Sequence, residues 1–149
     1  MRTSPRRRAR EFVLQGLYQR QLSGNACAAI REQVAAAAGF PKADEAYFDV
    51  LWAGVTAEYD ALLLLLAPEL DRRVAELSPI ERAILVIGAW ELAHRPEIPC
   101  RVVINEAIEL AKSYGGTDGH KFVNGVLDKL AAELRAAEMD ALRTATGAA

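Results

Sequence analysis

Residues 4–23 read SPRRRAREFVLQGLYQRQLS, a segment whose ends and periodicity predict a well-marked helix. Ser4 is placed to cap it, Pro5 suits the first helical position because its missing N–H would be unpaired there anyway, and Gly24-Asn25 stops it. At about 100° per residue, Ala9, Phe12, Val13, Gly16 and Leu17 share one face, the predicted core side. Leu14, Tyr18 and Leu22 point roughly the opposite way. A second apolar stripe at this spacing means either a helix sandwiched inside a bundle or one that shows a hydrophobic ridge to a partner.

Helical periodicity continues along the chain, with glycine and proline falling between the periodic stretches, and no strand is expected. Helices are predicted at about 26–38, from about Asp44, at about 58–66, in a short turn at about 71–77, at 79–94, at about 102–114, and from Thr117 or Asp118 onward. Ser78-Pro79-Ile80-Glu81 is a strong local start, with the serine as cap and the glutamate three residues on. Gly115-Gly116 is a reasonable stop. The fold class expected is all-α, a compact two-part bundle of about seven helices in one domain spanning 1–149. Its N-terminal half covers about 4–67 and its C-terminal half about 70–140, and the alanine-rich tail 143–149 is expected to fray.

The chain has 149 residues, 52% of them apolar, enough for one sizeable core. Cys27 and Cys100 stand far apart in no CxxC pair, so neither a disulfide framework nor a zinc site is indicated, and a reducing, cytoplasmic setting is expected. The leucine run Leu62–Leu66 is far short of the roughly 20 apolar residues that cross a bilayer, so no membrane partner is expected. No apolar run follows the arginine-rich start, as a cleaved leader would require. His94 and His120 lie in no metal-ligand spacing. Gly115, Gly116 and Gly119 follow a helix rather than a strand, the wrong setting for a nucleotide-binding turn. No catalytic residue, metal or cofactor is therefore expected.

Charge is distributed unevenly. Net charge is −2, yet the first ten residues hold five arginines and no acid, leaving 13 basic against 20 acidic residues from Glu11 onward. Arg6, Arg7, Arg8 and Arg10 occupy the first turns of a helix, where the macrodipole favours anions and where Arg6 and Arg10 repel across one turn. Each conflict costs only about 0.3–1 kcal/mol, but several accumulate beside a single acid, Glu11. Uncompensated conflicts of this kind mark function, and guanidinium forks at a helix N-terminus suit phosphate. A solvated basic end that aids solubility is the plainer explanation. His120-Lys121-Phe122 places a base and an aromatic at a helix start, where they can clamp and stack single-stranded nucleotides, although Phe122 also fits the apolar face of its helix.

Three segments in order, RRRAREFVLQGLYQ, ELSPIERAILVIGAWEL and INEAIELAKSYGGTDGHKFVNGVLDKL, resemble the NusB family from Arg6 to about Leu130. The chain departs from the family pattern at Trp90, Cys100 and Gly119. The resemblance implies an RNA-binding transcription antitermination factor that takes single-stranded boxA-type RNA together with NusE, a small-ribosomal-subunit protein, within the RNA polymerase antitermination complex, notably during ribosomal RNA synthesis. By that resemblance Arg6, Arg7, Arg8 and Arg10 contact the RNA backbone, and Asp118, Lys121 and Phe122 form the second half of the RNA surface. Tyr18, Leu22, Glu76, Glu81, Arg82 and Leu85 lie on or near the NusE-binding face. Asn105, Glu106, Asn124 and Gly125 match the family and are read as packing and capping residues. Two competitors remain. Pro99-Cys100 superficially resembles the catalytic pair of RNA cytosine methyltransferases, to which NusB-like domains are fused, but a methyl donor needs a further α/β domain for which this chain has no room. The other is a helical interaction module that self-associates through Leu14, Tyr18 and Leu22.

Overall fold

The stretch Ala83–Leu92 is buried at every position, the signature of a helix surrounded by others rather than lying on a surface. The computed structural model describes residues 3–145, which form eight α-helices and three single 3₁₀ turns without a strand. They are α1 (Pro5–Ser23), α2 (Cys27–Ala35), α3 (Glu45–Ala57), α4 (Tyr59–Leu66), α5 (Pro79–His94), α6 (Cys100–Tyr114), α7 (Gly119–Leu134) and α8 (Ala136–Ala145). The central α5 packs against α1, α3 and α4 on one side and α6 and α7 on the other. One hydrophobic core runs through all these elements.

Local signals set the helix starts. The Ser4 hydroxyl accepts from the Arg7 N–H, that of Ser78 from Glu81, and the Asp44 carboxylate from Tyr47, each satisfying a donor the helix leaves open. Gly24 ends α1 in the left-handed region at φ 70°. Among the described residues no single helix is long and apolar enough to cross a bilayer.

Several boundaries differ from those the sequence suggests. The second helix closes at Ala35, because the chain turns to seat Phe40 edge-on against Phe12 and Phe48. The expected turn at about 71–77 shrinks to a 3₁₀ turn, Val74–Glu76. The sixth helix begins two residues early, at Cys100. The last predicted helix is two. Its backbone leaves helical geometry at Arg135 (φ −128°, ψ 42°), which lets the guanidinium turn back beneath α5. There it donates to the carbonyls of Glu91, Leu92, Arg95 and Ile98 and to Glu138, tying the end of α5 and the connection after it to the first turn of α8. Of the tail expected to fray, 143–145 close α8, and 146–149 lie outside the described residues.

Two glycines set the helix spacing. A Cβ on Gly16 would stand 2.7 Å from the Trp52 ring, and one on Gly54 2.3 Å from the Trp90 indole, so α1, α3 and α5 approach as closely as they do because nothing projects there. Gly125 on α7 faces open space. Gly54→Ala is therefore expected to destabilise the chain by about 1–3 kcal/mol through overpacking, whereas Gly125→Ala should be neutral or stabilising by up to about 1 kcal/mol through helix propensity. Urea unfolding of the two variants checks this, and equal losses would contradict the packing argument.

Candidate nucleic-acid interface

The four arginines at the start of α1 have very different surroundings. Arg10 faces inward and is 3% exposed. Its guanidinium donates to both carboxylate oxygens of Glu91 at 3.0 and 3.1 Å and to Glu106 at 3.3 Å. The Tyr47 hydroxyl donates to the same Glu91 carboxylate, so this fully buried acid is saturated. Burial works against the charge on Arg10, but Glu91 and its neighbours outweigh it and hold the guanidinium pKa above its ordinary value. Burial, reinforced by Glu91, likewise raises the Tyr47 hydroxyl pKa. Arg10 was expected to contact RNA. The structure corrects this: the residue is a core ion-pair partner with no surface to offer a phosphate.

Arg7 is intermediate. It forks onto Glu106 at 2.6 and 3.1 Å, and its side chain remains 36% exposed. Arg6 is more open, lying 4.2 Å from the Tyr47 ring centroid and 4.0 Å from Asp44. Arg8 is half-buried and has no ion pair among the described residues. An exposed cation–π contact contributes about 0.5–1 kcal/mol, whereas breaking one side of a buried pair costs about 3–5 kcal/mol. Arg6 and Arg8 are thus cheap to redirect toward a ligand, and Arg10 is not. The acids that sort the arginines were not legible as partners in the sequence. Glu106 read as a packing or capping residue, and the one signal for Glu91 was a lone acid inside the apolar run ILVIGAWEL.

From Arg8 a groove of about 370 Å³ runs along α1 past Glu11, Phe12, Gln15 and Tyr18, with Ile80 and Tyr114 on its far wall. Tyr114 donates to Glu11 across it at 3.1 Å. The second stripe of α1 divides here. Leu14 is buried at 2%, while Tyr18 and Leu22 are 38% and 63% exposed, so the helix is partly sandwiched and partly a ridge. Glu81 follows Ile80, and a Cβ on Gly119 would stand 3.1 Å from its carboxylate. The missing side chain at Gly119 thus admits Glu81 against the start of α7. Glu76 is exposed and pairs with Arg73 at 2.7 Å. Arg82 is half-buried and donates to the Val74 carbonyl. Leu85, expected near the partner face, is instead fully buried, because the central α5 has no free side at that depth.

At the start of α7, Asp118 adopts φ 62°, the one non-glycine residue with positive φ among those described. It does not cap the helix with its side chain. It stands 3.4 Å from the Lys121 ammonium instead. Phe122 is half-buried against the core, and its ring carries the Arg72 guanidinium at 4.1 Å. No cluster of potential metal ligands occurs among the described residues.

The NusB family model matches residues 7–132. Among curated relatives, the transcription antitermination protein NusB of Nitrosomonas europaea is 57% identical over 134 residues, which are 90% of this chain and 80% of that protein. Its counterpart from Aromatoleum aromaticum is 57% identical over 139 residues, 93% of this chain and 96% of that one. A solved structure of T. maritima NusB superposes with a TM-score of 0.78 at 31% identity, covering 89% of this chain and 94% of the other.

The buried pair yields a stability expectation. Arg10→Met leaves Glu91 charged and without its main partner, and should cost about 3–5 kcal/mol. Arg6→Ala should cost no more than about 1 kcal/mol, the value of its exposed cation–π contact. Chemical denaturation separates the two, and a tolerant Arg10→Met variant would show that the pair does not hold α1 in place.

Proposed function

The chain belongs to the NusB family, and from that premise we propose that it binds single-stranded boxA-type RNA together with NusE as part of the RNA polymerase antitermination complex in the cytoplasm. Its relatives are transcription antitermination proteins, and this chain is an antitermination protein rather than an enzyme. The observation that carries the RNA reading is the sorting of the arginines: Arg10 keys the tip of α1 into the core, and Arg6 and Arg8 stay available at that fixed tip.

In this mechanism Arg6 and Arg8, aided by the exposed part of Arg7, neutralise backbone phosphates, and the positive end of the α1 dipole adds to the attraction. Asp118, Lys121 and Phe122 meet the bases or backbone further along the strand. NusE sits on the exposed ridge Tyr18–Leu22 and reaches Glu76, Glu81 and Arg82. Glu81 reaches from the partner face to the start of α7, so a protein bound there lies beside the RNA and enlarges the surface available to it. Phosphate contacts supply affinity and position, whereas bases read in the single strand supply sequence preference.

Titration of a short boxA-type RNA at several salt concentrations, with and without NusE, tests the proposal. The wild type should prefer the boxA sequence and bind more tightly with NusE. Arg6→Ala/Arg8→Ala should lose affinity and flatten the log–log salt dependence by roughly 0.7 for each phosphate contact removed. Leu22→Asp should weaken NusE binding while leaving the unfolding midpoint unchanged. A wild type indifferent to RNA sequence and to NusE, and sedimenting as a concentration-dependent oligomer, would replace this reading with self-association through Tyr18 and Leu22.

A further inference from the structure

Arg72 lies at a bend in the connection between α4 and α5, and its guanidinium covers the Phe122 ring at 4.1 Å. Where this chain uses arginine to hold the fold, the side chain is buried and saturated with acceptors, as Arg10 and Arg135 show. Arg72 is built differently. Its side chain is 38% exposed, Nε donates to the adjacent Asp71 at 2.8 Å, and its terminal nitrogens meet no acceptor among the described residues. One face of the guanidinium is thereby set against an aromatic plane and one edge is fixed by a carboxylate.

Beside this stack lies a hollow of about 180 Å³ lined by Phe122 with Glu69, Asp71, Lys121, Gly125 and Lys129. The absent side chain at Gly125 leaves open space there. Two ammonium groups next to a flat, orientation-fixed cation form a surface suited to single-stranded RNA, because nucleobases stack on guanidinium planes as they do on aromatic rings. Arginine suits this role and lysine does not, since lysine carries the same charge without a plane.

We infer that Arg72 is a base-stacking residue: an unpaired base of single-stranded RNA lies on the outer plane of its guanidinium, completing a column of Phe122, Arg72 and base, with Lys121 and Lys129 neutralising the flanking phosphates. This rests on the RNA-binding reading above and adds to it a segment, 71–72, that neither the arginine tip of α1 nor the start of α7 contains.

The test is a titration of boxA-type RNA with NusE present, using wild type, Arg72→Lys, Arg72→Ala and Arg6→Ala/Arg8→Ala, each with intact RNA and with RNAs bearing one abasic nucleotide at successive positions. Arg72→Lys should weaken binding by roughly 5- to 150-fold, the range expected for one stacked base, with the salt slope unchanged because the charge remains. One abasic position should cost the wild type a similar factor and cost Arg72→Lys nothing further. Arg72→Lys binding like wild type, or abasic losses equal in both proteins, overturns the stacking assignment. If Arg6→Ala/Arg8→Ala loses affinity while Arg72→Lys does not, this inference alone fails. If the wild type does not bind the RNA, the functional reading fails and takes this inference with it.

Discussion

A buried carboxylate, Glu91, with Arg10, Tyr47 and Glu106 gathered around it, is the interaction on which the rest depends. Desolvating both charges costs several kcal/mol per ion, and the attraction repays this only when geometry is good and every lone pair is used. Here Glu91 accepts from the Arg10 guanidinium and from the Tyr47 hydroxyl, and Arg10 reaches on to Glu106. Helices α1, α3, α5 and α6 therefore meet at one polar point inside an apolar core. That point fixes the rotation of α1, which in turn decides the sides on which Arg6, Arg8, Tyr18 and Leu22 emerge.

The arginine cluster thus has two jobs that sequence proximity disguises. Four guanidiniums within five residues repel one another and oppose the helix dipole. The fold relieves much of the conflict by placing Arg10 and part of Arg7 against acids supplied from residues 91 and 106. What is left at the surface is a smaller cationic patch on a rigid support. A ligand meeting it need not pay to order α1, which favours preorganised recognition.

Arg135 performs a comparable task at the same, C-terminal end of α5, where it donates to the carbonyl of the very residue whose carboxylate Arg10 holds. By leaving helical geometry it gathers four carbonyls and Glu138 beneath the helix terminus, so the C-terminal end of the central helix is pinned by two buried arginines, one on its last acid and one on its last carbonyls. The elements carrying candidate binding residues, the tip of α1, the segment before α5 and the start of α7, all sit around this pinned helix.

The sequence by itself determined the all-helical class, the starts at Pro5 and Pro79 and the stop at Gly24, because capping and periodicity act within a few residues. It also determined the family, through motifs specific enough to survive without a structure. Only the tertiary structure decided which arginine is free and which is locked, that Leu85 is interior while Leu22 is exposed, and that Arg72 covers Phe122. It also broke the last helix at Arg135. These outcomes depend on partners far away in sequence: Glu91 lies 81 residues from Arg10 and Glu106 lies 99 from Arg7, and no local pattern encodes which distant carboxylate a buried guanidinium will find. Arg10 was the most misleading residue for that reason, since its one-turn spacing from Arg6 suggested a shared surface, and the desolvated acid that claims it became visible once α1 and α5 were packed together.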